Sequence, residues 1–303
     1  MHVSRLGLLS ALAMLMAFCG APAAQAATCN VTISNVSPIP IVIYDPFEGL
    51  TRTVNYNLDF TNVGPDSCSV GLAIASPVQA VPRSFKNGAR ELRYILEWPG
   101  GAVFSNSLTA PIGSVSVSSG KTKTVTLRVK VQAGLVAPAA TYADLLTFRL
   151  FRVGSGPILQ VGTDRTASAG AIVEARAQVN IAGASGSFGV PFALDRMDFG
   201  ALTAGTAKSA IVQVRATSPV SINVTSQNLG KLKHKVLTGD AGIGYTLQLD
   251  GANVPLSSSF SLNRSPPVSL DGINYPMSVK IGDVTGRPSG DYQDTLTINV
   301  APL

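Results

Sequence analysis

The sequence predicts an all-β protein built from two β-sandwiches in tandem. Apolar and polar residues alternate with period two in many short segments, such as residues 53–60 and 124–131, which is typical of half-buried antiparallel strands. The chain also contains 29 glycines and 19 prolines, enough to separate these strands by turns. At about 150 residues per domain, its 303 residues suit two domains that each bury a core.

The N-terminus has the pattern of a secretory signal peptide. Arg5 supplies a positive charge, residues 6–18 form an apolar run, and Ala24-Gln25-Ala26 offers a small-residue cleavage site. A lipoprotein would use Cys19, but the phenylalanine before it is too bulky for that pathway. We therefore expect residues 1–27 to be a signal peptide and the protein to be exported through the periplasm.

Two cysteines remain after this segment, Cys29 and Cys68. An even number of cysteines in an exported protein predicts a disulfide formed in an oxidising compartment. Such a bond would tie the start of the mature chain to a strand about 40 residues later and stabilise the fold by roughly 4 kcal/mol.

The sequence gives little support for an enzyme. The one histidine after the signal segment is His234, which lies between two lysines, where an imidazole is more often a surface group than a base or ligand. The ligand spacing of a zinc site is absent, and the basic residues lack the interleaved aromatics of nucleic-acid binders. We expect no catalytic residue, metal, cofactor or nucleic-acid partner.

The two halves of the chain resemble each other. Residues 142–144 and residues 292–294 both read Tyr-x-Asp and both lead into a strand rich in threonine and leucine, which suggests a duplicated domain. The first half then continues to another alternating segment, residues 171–181, which could complete its sandwich. The second half ends soon after the strand at residues 295–300. If the halves are duplicates, the second lacks its final strand.

A sandwich without one strand exposes an apolar groove bordered by unpaired backbone groups. A strand supplied by another chain can fill such a groove. A second sandwich of different topology, which needs no such strand, is the alternative interpretation.

Several motifs occur in the same order as in a known family. In the second half these are Met197-Asp198-Phe199-Gly200-Ala201-Leu202, Gln213-Val214-Arg215-Ala216, Gly244-Tyr245-Thr246-Leu247 and residues 289–300; in the first half they are Tyr44-Asp45-Pro46, residues 87–96, and Thr141-Tyr142-Ala143-Asp144, together with the two cysteines. With these motifs the chain resembles the spore coat protein U domain family, the subunits of archaic chaperone-usher pili.

The resemblance implies immunoglobulin-like sandwiches, an adhesin-like domain over residues 28–183 and a pilin-like domain over residues 184–303. The implied partners are a periplasmic pilus chaperone, an outer-membrane usher and an adjacent pilin subunit that donates a strand. Because Cys29 follows the expected cleavage so closely, the mature chain would have no arm to donate, which implies a place at the pilus tip on the cell surface. The residues expected to border the groove are Phe192, Leu194, Met197, Phe199, Leu296, Ile298 and Val300.

Tip subunits of this family are thought to bind surfaces through apolar loops, which would mediate attachment to abiotic or host surfaces and biofilm formation. The candidate residues are Trp98, Val103 and Phe104 around a Pro-Gly-Gly turn, and Phe47, Leu135 and Val136 in two other loops. The alternative for these side chains is burial in the core beneath their loops. Two rival functions remain: a spore coat or extracellular matrix structural protein, and, more remotely, a carbohydrate-active secreted enzyme.

Overall fold

The computed structural model describes residues 28–77, 82–154, 156–182, 188 and 196–303. In these ranges the regular structure is entirely β, and the buried apolar residues form two cores. The prediction of an all-β protein with two β-sandwich-like bodies is confirmed. Among the described residues, no helix is long and apolar enough to span a membrane.

The first body packs a four-stranded sheet against a seven-stranded one. Its strands are β1 (Val31–Asn35), β2 (Val42–Tyr44), β3 (Arg52–Asn62), β4 (Cys68–Ala75), β5 (Ser84–Asn87), β6 (Arg90–Arg93), β7 (Ile95–Glu97), β8 (Ser107–Val117), β9 (Thr122–Val131), β10 (Ala140–Arg152) and β11 (Leu159–Val173). The smaller sheet has the order β1-β3-β9-β7, and the larger has the order β2-β11-β10-β4-β8, with β5 and β6 beside β10.

The second body again pairs two sheets. Its strands are β12 (Ala177–Ile181), β13 (Ala207–Ala216), β14 (Val220–Ser226), β15 (Lys231–His234), β16 (Ile243–Leu249), β17 (Ala252–Val254), β18 (Phe260–Arg264), β19 (Ile273–Ile281), β20 (Tyr292–Gln293) and β21 (Leu296–Pro302). One sheet has the order β12-β13-β19-β16-β15-β20, with β17 beside β16, and the other has the order β18-β14-β21.

The residues that alternate with period two in the sequence lie on the inner and outer faces of these sheets. On β9, Val125, Leu127 and Val129 are buried, whereas Thr124 and Thr126, which flank Val125, are exposed. Successive side chains of a strand point to opposite faces, so a register shift of one residue would expose the whole apolar row.

One expected strand is divided between the bodies. The chain leaves β11 at Val173, and β12 pairs with β13 in the second body. The expectation that residues 171–181 complete the first sandwich is therefore wrong for residues 177–181. The predicted boundary between residues 183 and 184 lies outside the described ranges.

The predicted disulfide between Cys29 and Cys68 is present, with a Cα–Cα separation of 5.4 Å. Cys68 starts β4 and is buried in the first core, while Cys29 precedes β1. The bond thus joins the segment before β1, the edge strand of the smaller sheet, to the start of β4 in the larger sheet.

Candidate functional site

A tyrosine–aspartate corner lies at the start of β10. The Tyr142 hydroxyl donates a hydrogen bond to the Pro138 carbonyl at 2.7 Å, and the Asp144 carboxylate accepts hydrogen bonds from Ser76 Oγ at 2.5 Å and Tyr94 Oη at 2.6 Å. Burial and the neighbouring negative charge of Asp144 raise the pKa of Tyr94, which keeps its hydroxyl a donor. The corner holds β10 against the end of β4.

The second body repeats this corner. The Tyr292 hydroxyl donates to the Pro288 carbonyl at 2.9 Å, and Asp294 Oδ2 accepts hydrogen bonds from Ser226 Oγ and Tyr245 Oη, both at 2.6 Å. Burial raises the pKa of Tyr245 too, with the Asp294 bond adding to it. In both bodies the aspartate follows its serine by 68 residues. The duplication expected from the sequence is therefore present in the hydrogen bonds, and β14 and β20–β21 correspond to β4 and β10.

One edge of β10 and the corresponding edge of β20–β21 have the same pairing partners in the two bodies. β10 lies against β4, and Ala143 is opposite Lys86 of β5. β21 lies against β14, and Gln293 of β20 is opposite Lys233 of β15. A counterpart of β11 would therefore lie along the other edge of β20–β21.

That other edge differs between the bodies. β11 pairs antiparallel with β10 and parallel with β2, whereas within the described residues no strand pairs with the outer edge of β21. The counterpart of β2 is residues 196–199, which form no strand. Asp45 and Asp198 mark this correspondence, because each carboxylate accepts the backbone N–H two residues later, at 2.9 and 2.8 Å. We call the surface between β21 and residues 196–199 the open groove.

Side-chain burial changes accordingly. Three apolar side chains of β10 are at most 3% exposed, namely Leu146, Phe148 and Leu150. Their counterparts on β21 are only partly buried against the second core, namely Leu296, Ile298 and Val300. Likewise Tyr44 on β2 is fully buried, whereas its counterpart Met197 is only partly buried. In the part of the chain that the structure describes, no strand takes the position beside β21 that β11 takes beside β10.

Five of the seven expected groove residues are described, and all five pack, partly buried, against the second core: Met197, Phe199, Leu296, Ile298 and Val300. The other two, Phe192 and Leu194, lie outside the described residues.

The Pro-Gly-Gly turn after β7 does not expose its aromatic residues. Trp98 and Phe104 are 8% and 4% exposed and pack edge to face, with ring centroids 6.1 Å apart. A Cβ atom on Gly113 of β8 would collide with the Trp98 ring, so this glycine makes room for the indole. The expectation of an exposed patch is wrong for Trp98 and Phe104, because the turn folds both over β8 into the first core. Val103 stays on the surface at 57% exposure.

The remaining loop candidates lie beside the second body. The Phe47 ring lies under the Arg215 guanidinium at 4.8 Å. Leu135 packs against the first core, and its carbonyl accepts a hydrogen bond from the Tyr44 hydroxyl at 2.9 Å, while Val136 is 41% exposed. These loops are therefore part of, or next to, the junction between the two bodies.

The sequence analysis missed the junction itself. The Arg215 guanidinium is stacked between the rings of Phe47 and Phe188, at 4.8 and 4.6 Å, and its Nε donates to Gln178 at 2.7 Å. Burial lowers the pKa of Arg215, and the negative charge of Asp45 opposes this. The partners come from distant segments, so no local spacing in the sequence marks them.

A second missed feature lies at the opposite end of the first body. Val63, Ile158 and Leu159 are 63%, 60% and 50% exposed. Leu159 is opposite Arg152 at the end of β10, about 40 Å along the strand from Ala140 beside the junction. This end, which we call the distal end, therefore carries exposed aliphatic side chains.

The one histidine after the expected signal segment, His234, is held by backbone groups. His234 uses both ring nitrogens: Nδ1 accepts the backbone N–H groups of Val236 and Leu237 at 3.1 and 3.0 Å, and Nε2 donates to the Ser289 carbonyl at 3.1 Å. Within the described ranges, no group of three or more His, Cys, Asp or Glu residues could hold a metal ion.

Comparison with solved structures gives similarity along most of the chain. A chain from the complex of the chaperone CsuC with the tip adhesion subunit CsuE of the archaic chaperone-usher Csu pili of Acinetobacter baumannii matches with TM-score 0.50 and 17% identity, covering 89% of this chain and 99% of that one. A mutant of CfaE, the CFA/I adhesin of enterotoxigenic Escherichia coli, matches with TM-score 0.34 and 12% identity, covering 83% and 74%.

No protein-family model matches the chain, and no curated protein matches it significantly. The resemblance of the sequence motifs to the spore coat protein U domain family is therefore not supported by a family-model match. At 17% identity the similarity to the CsuE complex concerns the fold. The chain shares a two-body, all-β architecture with that chain.

Proposed function

We propose that this protein is a non-enzymatic tip subunit of an archaic chaperone-usher pilus, whose second body is completed by a strand from another polypeptide. One observation carries the proposal. The apolar positions that β11 covers in the first body recur in the second body, where they are only partly buried and no described strand pairs with the adjacent edge of β21. An apolar groove beside an unpaired strand edge is a site for strand addition.

The proposed partners follow from this groove. A periplasmic chaperone would fill it first, and an adjacent pilin subunit would replace the chaperone at an outer-membrane usher. The similar structure of a chaperone with a tip adhesion subunit supports this order of partners and a location at the pilus tip on the cell surface. The pilin-like domain would then start at β12, and the adhesin-like domain would end with β11.

The first body would mediate attachment to surfaces and biofilm formation. Its distal end lies away from the junction and presents Val63, Ile158 and Leu159 to solvent, and exposed apolar side chains favour contact with apolar surfaces. Val103 is the one candidate from the Pro-Gly-Gly turn that is exposed enough to contribute. Replacing the three distal residues by serine should reduce retention on polystyrene, whereas Val136→Ser beside the junction should not.

A coat or matrix protein is the second candidate, because two closed sandwiches could assemble side by side without a donated strand. The groove separates the two functions. A pilus subunit needs the groove filled by a partner, and a self-sufficient coat protein does not.

The test is co-expression of the mature chain in the periplasm with an archaic pilus chaperone. We expect the chaperone to co-purify with the unmodified chain and with Asn299→Asp, whose side chain lies on the outer face of β21. We expect it to be lost with Ile298→Asp, which places a charge in the groove. If the unmodified chain is stable without the chaperone, and neither it nor the two variants bind the chaperone, the proposal is overturned in favour of the coat protein.

A further inference from the structure

The strand that closes the first body has an unusual inner face. Three alternate residues of β11 that face the core are alanines: Ala167, Ala169 and Ala171 are 5%, 4% and 0% exposed. Val173 follows at the end of the strand and is 2% exposed. The closing strand is therefore small at three consecutive inward positions and β-branched at the fourth.

The neighbours of β11 explain why these positions are small. Ala171 is opposite Tyr142, and both Tyr142 and the nearby Tyr44 are fully buried. Ala169 is opposite Asp144, whose carboxylate must keep its hydrogen bonds from the corner. Since protein interiors are close-packed, the two tyrosine rings and the carboxylate corner leave room for a methyl group and little more.

The second body keeps the tyrosine–aspartate corner along its open edge, whereas Met197 stands at the position of Tyr44. Tyr292 and Asp294 form the same corner, with the same hydrogen bonds at 2.6 to 2.9 Å, and Leu296 takes the place of Leu146. Gly290 corresponds to Ala140, which is opposite Val173. The tyrosine and the aspartate opposite Ala171 and Ala169 of β11 thus have counterparts, Tyr292 and Asp294, beside the strand that would complete the second body.

We propose that the open groove selects a donor strand with the inward pattern small-x-small-x-small-x-β-branched, where small means Ala, Gly or Ser. The donor runs antiparallel to β21, and its three small residues lie opposite Leu296, Asp294 and Tyr292. Its β-branched residue lies opposite Gly290. This inference rests on the proposed function and adds which partner segments fit.

The test uses peptides added to the full mature chain. The first peptide has the sequence of residues 165–173, Arg-Thr-Ala-Ser-Ala-Gly-Ala-Ile-Val. The second carries leucine at the three alanine positions and is therefore more apolar. The readouts are binding stoichiometry by native mass spectrometry and the Tm of the complex.

We expect the alanine peptide to bind one to one, to raise the Tm and to exceed the leucine peptide in affinity by tenfold or more, because overpacking a close-packed site is destabilising. Binding should be lost with Ile298→Asp and retained with Asn299→Asp. If the leucine peptide binds as well or better, the small-residue rule is overturned while strand acceptance stands. If neither peptide binds, or if both bind Ile298→Asp as well as the unmodified chain, strand acceptance fails too.

Discussion

The open groove makes a quantitative prediction for two leucines at corresponding positions. Leu146 of β10 is fully buried under β11, so Leu146→Ala should lower the free energy of unfolding by about 2–5 kcal/mol. Leu296 of β21 is only partly buried, so Leu296→Ala should cost about half as much, roughly 1–2 kcal/mol. The difference comes from the missing cover and not from the residue type.

Urea unfolding can separate the two bodies. The single tryptophan, Trp98, lies in the first core, so its fluorescence reports on the first body, while far-UV circular dichroism reports on both. When a strand partner is added, the cost of Leu296→Ala should rise to that of Leu146→Ala, and the cost of Leu146→Ala should not change. Thr297→Ala, on the outer face of β21, is the matched control and should have little effect.

The reasoning would be refuted if Leu296→Ala, without any partner, destabilised the second body by as much as Leu146→Ala destabilises the first. That result would mean that the inner face of β21 is already covered in the free chain.

Three further predictions concern the junction, the first core and the acid range. Arg215→Lys should loosen the junction by about 1–2 kcal/mol, since lysine cannot stack between two rings, and should speed proteolysis at residues 174–176. Gly113→Val should destabilise the first body by at least about 1–3 kcal/mol, because its side chain collides with the Trp98 ring, and should shift the fluorescence transition. The Arg149 guanidinium lowers the pKa of Asp164 through its hydrogen bond, so this pair should stabilise the fold above the ordinary aspartate pKa of about 3.9 and lose that contribution as the pH falls through the lowered value.

Each of these predictions has a result that would contradict it. Proteolysis of Arg215→Lys at the rate of the unmodified chain would show that the stacked guanidinium does not hold the bodies together. An unchanged fluorescence midpoint in Gly113→Val would mean that the indole can move without cost. For the acid range, the comparison is with Asp164→Asn. Its free energy of unfolding at neutral pH should be lower than that of the unmodified chain by less than about 1 kcal/mol, because the pair is near the surface. If that difference persisted at low pH, the charge of Asp164 would not be its source.

The fold was predictable because period-two alternation and turn residues are local signals. The Tyr-x-Asp motifs also predicted the duplication. The tyrosine hydroxyl of such a motif bonds to a carbonyl only four residues earlier, as Tyr292 does to Pro288, so a short segment of sequence is enough to reveal the corner. The path of residues 177–181 was not predictable. An alternating segment shows which side chains face inward, but it does not show which of two cores they face.

The functional surfaces were predictable only in part. Strand alternation predicted that Leu296 and Ile298 face the second core, whereas their role in a groove stays a prediction. Trp98 was misjudged because a turn motif does not show which way the turn folds, and the space beneath this turn depends on Gly113, which lies on another strand. The environment of Arg215 depends on long-range packing, which leaves no local pattern.

Hydrogen exchange at β21 tests the central claim most directly. In the mature chain alone, alternate backbone amides of Leu296–Pro302 should exchange rapidly at the unpaired edge, while those of Ala140–Arg152, which are paired on both sides along much of their length, should be protected. Addition of a strand partner should slow the β21 amides to the rate of β10. If the β21 amides of the free chain are already as protected as those of β10, the edge is occupied and the second body is not open.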